Sequence, residues 1–185
     1  MSNVIEEKPV VSSWNVDPAH SSVEFAVKHM VITTVRGRFA KFDVDLNFDE
    51  ANPLQSSVVA KIDAASIDTR EDKRDGHLRS ADFLDAENHP FLVFTSKRVE
   101  DAGGGRYRIV GDLTIRGVTR EVSLDTTFSG FAKSPWGMTV AGFNAETTIN
   151  RADWGLVWNA ALETGGVLVA EDVKIAIEVE AIKQG

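Results

Sequence analysis

The chain has 185 residues, 43% hydrophobic and 26% charged, which suits one globular domain with a sizeable core. Its formal net charge of -8 argues against a generic phosphate-binding surface, because nucleic acids and anionic headgroups are recruited by clustered Lys and Arg. Cysteine is absent, which excludes disulfides, thiolate metal sites and cysteine nucleophiles.

In chain order, residues 1–12 predict a disordered tail. "MSNVIEEKPVVSS" carries neither the basic n-region nor the apolar h-region of an export leader, and Glu6, Glu7 and Pro9 interrupt its hydrophobicity. As it stands, this start predicts a cytoplasmic protein; an earlier-removed leader would make it periplasmic or extracellular. Residues 13–185 read as a single domain. No apolar run approaches the roughly 20 residues that cross a bilayer as a helix, so no integral membrane segment is expected.

Alternation of apolar and polar residues, the mark of a strand with one buried face, recurs from end to end. "VEFAVKH" sets Val23, Phe25 and Val27 against Glu24 and Lys28. "FAKFDVDLNF" sets Phe42, Val44, Leu46 and Phe48 against Asp43, Asp45 and Asn47, and predicts one long strand bent near its start. "SVVAKIDAASI", "FLVFTSKRV", "RYRIVGDLTI", "EVSLDTTF", "MTVAGFNAETTI" and "VKIAIEVEAI" continue the pattern, with Gly103 to Gly105 as a flexible turn.

About eight antiparallel strands with short connections must hide their edges, either as two packed sheets or as a closed barrel. We expect closure, an all-β antiparallel barrel. Ala60, Gly111 and Gly142 are small at inferred inward positions, and a barrel of about eight strands holds one small ligand. The same residues equally suit bends or bulges.

The exception to the strand pattern is "DTREDKRDGHLRSADFLDAENHP", Asp68 to Pro90. Asp68 and Glu71 have the spacing of a capping box, and Asp75 with Arg79 pair one turn apart on a helix. Gly76 weakens that helix, Ser80 suits the cap of a second short one, and Pro90 stops it before the next strand. A helical segment near 68–89 is therefore expected.

The four histidines do not announce a metal site: His20 and His29 are nine residues apart, and the expected helix break separates His77 from His89. No metal or other cofactor is expected. Asp75 with His77 has the composition of an acid/base pair, but such neighbours are frequent on solvated helices. No G-x-S-x-G or phosphate-loop pattern occurs. Trp154 and Trp158 in "NRADWGLVWN" fit either a core or the wet opening of an apolar ligand site.

Taken in order, "WNVDPAHSSVEFAVKHM" with Trp14, Asp17, His20, Ser21, Phe25 and His29, then Gly37 and Phe39 of "VRGRF", "RDGHLRSADFLDAENHP", "GDLTIRGVTREV" and "NRADWG" resemble the YceI-like family of bacterial polyisoprenoid- or lipid-binding proteins. The resemblance runs from Trp14 to Ile182. It implies a lipocalin-like barrel closed by helices, whose lumen holds an isoprenoid or other long-chain amphiphile. On that reading Phe25, Val27, Phe39, Phe94, Leu113 and Phe128 line the bore. Leu78 and Phe83 face it from the lid, Trp154 and Trp158 border it, and His20 and His77 are the polar positions to test.

Three functions compete. The first is a noncatalytic carrier or sequestering protein for such a lipid. The second is a lipid-modifying enzyme using Asp75, His77 and His20 as acid/base groups, and the third a stress-related structural domain with a filled interior. Homodimerisation through a strand edge or the lid is compatible with each, and no nucleic-acid partner is expected.

Overall fold

A computed structural model describes residues 12–185. The expected tail thus lies outside the described residues except for Ser12, which already opens a strand. The strands are β1 (Ser12–Val16), β2 (Ser22–His29), β3 (Thr33–Phe39), β4 (Phe42–Phe48), β5 (Ser57–Asp63), a two-residue β6 (Ile67–Asp68) and β7 (Phe91–Gly103). They continue with β8 (Arg106–Ile115), β9 (Val118–Lys133), β10 (Thr139–Asn150) and β11 (Val169–Lys183). One α-helix, α1 (Asp72–Arg79), precedes β7.

The spatial order β1-β4-β5-β7-β8-β9-β10-β11 closes into an eight-stranded antiparallel barrel where β1 returns to β11, with Trp14 opposite Lys183 and Val16 opposite Ala181. With β10 covering its other edge, β11 divides its free edge between two partners. Its C-terminal end holds β1, while Val173, Ile175 and Ile177 pair with Val27, Phe25 and Val23 of β2. The β2–β3 hairpin thereby completes the wall where β1 stops. The expected closed, lipocalin-like all-β barrel is the observed fold.

Alternation placed the inward faces correctly along most strands. One register was misread: the stretch from Phe39 to Phe48 is not one bent strand but the end of β3 and all of β4, separated at Ala40 and Lys41. Backbone bonds from Ala40 N to Ser66 O and from Asp63 N to Lys41 O make the corner, a pairing distant in sequence that no local pattern encodes.

The small residues divide. At Gly111 a Cβ would strike the Thr95 carbonyl and come within 2.6 Å of the Phe94 ring, so the glycine admits an aromatic ring across the strand. Gly37 does the same for Phe25, its cross-strand partner. Gly142 was expected to point inward, yet its nearest neighbour is Ser129, an exposed residue of β9, and the strand bulges beside it.

The lid also departs from expectation. Glu71, not Asp68, caps α1, accepting from Arg74 N at 2.7 Å, while Asp68 accepts from Arg70 N at 2.9 Å in the preceding turn. Asp75 does not pair with Arg79: it is buried and accepts from Thr69 N and Thr69 Oγ1 at 2.9 and 2.5 Å. Ser80 ends α1, and turns rather than a second helix follow, because reversal of the chain is what brings Phe83 and Leu84 inward.

We expect Gly37→Ala to destabilise the fold by about 1–3 kcal/mol through overpacking. The Phe25→Leu background should recover part of that loss. Denaturant unfolding checks both, and a Gly37→Ala protein as stable as the parent contradicts the packing.

Candidate functional site

Inward-facing side chains do not fill the ring. A cavity of about 300 Å³ runs through it, from Phe48, Phe128 and Phe143 at one end to Phe83, Trp154 and Arg151 at the other. That volume is at the lower bound of ordinary ligand pockets, about 300–1,000 Å³.

Of the residues singled out from sequence, Phe25, Val27, Phe39, Phe94, Leu113 and Phe128 lie along the wall of this cavity. Leu78, Phe83 and Trp154 reach it from the lid end. Trp154 is 3% exposed and donates its Nε1 hydrogen to the Leu113 carbonyl at 2.9 Å, which ties the lid end to β8.

The other three sit elsewhere. Trp158 and His77 do not border the cavity but meet edge to face, with ring centroids 4.6 Å apart, and both contact Phe83. His77 Nε2 lies 2.8 Å from Asp82 Oδ2, so the imidazole fastens α1 to the following turn and to the Trp158 segment. His20 stands on a 3-10 turn, Pro18–His20, on the outer surface. Asp75, His77 and His20 therefore belong to three separate hydrogen-bonded groups.

Sequence reasoning passed over two features of the cavity. The first is the aromatic end, where Phe48 packs against Phe128 and Phe143 at 5.4 and 5.1 Å and edge-on against Trp14 at 5.8 Å. The inward register of Phe48 and Phe128 was a usable signal, but their meeting depends on closure. The second is Arg151, which is 5% exposed and bonds only to backbone carbonyls. Burial pulls its pKa below the ordinary arginine value, with nearby Glu171 opposing the shift. Nothing local distinguishes such an arginine from a solvated one.

Asp17, His20 and Glu180 bring three donors of metal-ligating type within 4.8 Å of one another. The arrangement is held from the backbone, by Asp17 N to Glu180 O at 2.8 Å and Glu180 N to Ser21 Oγ at 3.0 Å. His20 Nδ1 is 2.8 Å from Asp17 Oδ2, so the group acts as a clasp between the turn and β11. The hydrogen bond to Asp17, then the Glu180 charge, raises His20 above 6.5. The same bond, helped by Ala19 N–H, lowers Asp17 from 3.8.

The signs are opposite. The His20 contribution to stability is complete below pH 6.5 and is lost as pH rises through the raised folded value. The Asp17 contribution is present above pH 3.8 and is lost as pH falls through the lowered one. An NMR titration should find the His20 midpoint above 6.5, returning toward that value in Asp17→Asn. A parent midpoint at or below 6.5 contradicts the clasp.

The YceI-like domain family matches residues 14–181. A UPF0312 protein of Staphylococcus epidermidis is 39% identical over 171 residues, covering 92% of this chain and 97% of its own. The crystal structure of BcnA from Burkholderia cenocepacia superposes with a TM-score of 0.79 at 28% identity, over 90% of this chain and 99% of that one. A polyisoprenoid-binding domain from Saccharophagus degradans implicated in plant cell wall breakdown shares the fold, with a TM-score of 0.65 at 14% identity over 94% of this chain and 99% of its own. With the family match spanning the barrel from β1 into β11, this chain belongs to the YceI-like domain family.

Proposed function

We propose that the protein binds and carries, without chemical change, an isoprenoid or other long-chain amphiphilic lipid in the barrel lumen. The observation that carries the reading is the cavity itself, apolar along its length and passing through the barrel. Each methylene buried there contributes about 0.8 kcal/mol, so one five-carbon isoprene unit supplies roughly 3 to 4 kcal/mol before ordering costs. The polyisoprenoid-binding domain of Saccharophagus degradans, alike in fold, is consistent with this use of the bore.

A single chain builds the cavity, so carriage needs no second copy. Phe25, Val27, Phe39, Phe94, Leu113 and Phe128 would contact the chain of the lipid, with Leu78, Phe83 and Trp154 closing over it. His77 and Trp158 would act one step back by holding Phe83 in place, and His20 through the clasp on β11. Either compartment raised by the N-terminus suits a carrier.

Native mass spectrometry and solvent extraction of protein purified from its own host should find near-stoichiometric, unchanged lipid. Ala60 lies on the cavity wall, and Ala60→Phe should fill the bore and reduce lipid occupancy by about tenfold while the barrel stays folded. Product accumulating from added lipid, or occupancy unchanged in Ala60→Phe, contradicts the carrier reading.

A further inference from the structure

We propose that the lid end of the barrel docks on an anionic lipid bilayer, with the β2–β3 hairpin tip, Met30–Ile32, entering the boundary between headgroups and acyl chains. The surface is independent of the lumen, whereas the choice of a bilayer over another apolar partner rests on the lipid-carrier reading.

The tip is built against its own backbone preferences. Met30 and Val31 have φ of 52° and 63°, in a turn that closes from Ile32 N to His29 O at 3.2 Å. Positive φ at consecutive turn residues favours Gly, Asn or Asp, and it is an outlier for a β-branched side chain. No packing inside the barrel offsets this choice, because Val31 and Ile32 are 76% and 77% exposed. Strained backbone that displays apolar side chains to solvent points to a surface they meet elsewhere.

A second loop reaches the same level. Met30 N donates to Leu168 O at 2.9 Å, which holds the tip beside the segment joining β10 to β11. Val157 and Val167 of that segment are exposed as well, and from Gly155 to Leu168 its single charged residue is Glu163.

Behind the tip the hairpin is basic. Lys28 lies opposite Thr34, Arg36 opposite Ala26, and Lys174 of β11 meets Ala26 from the other side. All three are exposed, and among the described residues none of them is in an ion pair. From Phe25 to Gly37 the hairpin has no carboxylate. Of the acids on the neighbouring bulge of β11, Glu171 accepts from Asn150 at 3.3 Å and Asp172 lies opposite that same residue, both on the side of β10. An apolar tip with cations set back along the strands suits an interface in which the tip meets acyl chains while Lys and Arg stay among the phosphates.

Trp136, 83% exposed on the β9–β10 hairpin, supplies the control. Phe131 beside it stacks on Trp14 with ring centroids 6.0 Å apart, which puts that hairpin at the aromatic end.

The chain has no cysteine, so Val31→Cys and Trp136→Cys each give a full chain carrying one environment-sensitive NBD label. Vesicles of mixed phosphatidylcholine and phosphatidylglycerol should shift the label at position 31 to the blue and leave the one at position 136 unchanged. In vesicle flotation Val31→Asn, which suits the positive φ, should bind about tenfold more weakly while unfolding at no lower denaturant than the parent. Lys28→Gln combined with Arg36→Gln should abolish the preference for mixed vesicles over pure phosphatidylcholine, a preference that added salt also removes. The proposal is overturned by a label at position 31 that ignores vesicles, by a response at position 136 instead, or by Val31→Asn binding as well as the parent. A blue shift that grows with protein concentration in the absence of vesicles also overturns it, making the tip a contact between copies. If Val31→Asn fails to fold, the two labels decide. Lipid extracted from protein that ignores vesicles overturns this inference alone, whereas a response at position 31 in protein that yields no lipid supports the docking surface and overturns the carrier reading.

Discussion

Everything in this molecule depends on how β11 shares one edge. A sheet with exposed edges invites pairing with other chains, and closure is the arrangement that removes them. Here the closing ladder between β1 and β11 spans only Trp14 to Val16, and the remainder of that edge is taken by β2. Neither partner alone covers β11. Together they complete a ring of eight strands, a width that side chains either fill or leave open for one small ligand, and small wall residues such as Ala60 leave it open here.

Among the described residues, most polar groups taken inside are given partners, Trp14 Nε1 being a buried donor without one. Asp75 is spent on the Thr69 amide and hydroxyl, Arg74 donates to the Thr69 hydroxyl and carbonyl, and Trp154 donates to Leu113. Satisfied polar groups of this kind fix geometry, because leaving either partner unpaired costs about 1–3 kcal/mol. They cluster at the lid end, where few strand ladders are available to fix the chain. Arg151 follows the same rule with the difference that its partners are all neutral, so its hydrogen bonds are met more fully than its charge.

The sequence was most informative where structure is periodic. Two-residue alternation is a property of the single strand, and it sets Phe25 and Val27, Leu113, and Phe128 each on one face of its strand, the face that borders the cavity. Features that depend on a distant partner were not readable: the corner at Ala40 and Lys41, the outward turn of Gly142, and the division of β11 between β1 and β2. The lid shows the limit within a local motif. Asp68 and Glu71 have capping-box spacing, yet a residue with positive φ, Arg70 at 64°, lies between them and starts the helix later. For the site, apolar lining was legible and polar placement was not, because whether His77 or Arg151 points at a ligand, a carboxylate or a carbonyl is decided by loops folding back from elsewhere.

The two ends of the cavity differ in what holds them shut. At the aromatic end Trp14, Phe48, Phe128 and Phe143 belong to β1, β4, β9 and β10, so separating them means breaking the ladder that closes the barrel. At the lid end the cover is α1 and the turns after it, fastened by ring contacts among His77, Phe83 and Trp158 and by the Arg116 hydrogen bond to Phe83 O at 3.2 Å. These contacts can be lost without disturbing any barrel strand. Local opening takes the route that breaks the fewest cooperative contacts, so the lid end is the cheaper one to open. Arg151 stands at that same end, which puts a buried charge beside the part of the molecule that gives way most easily.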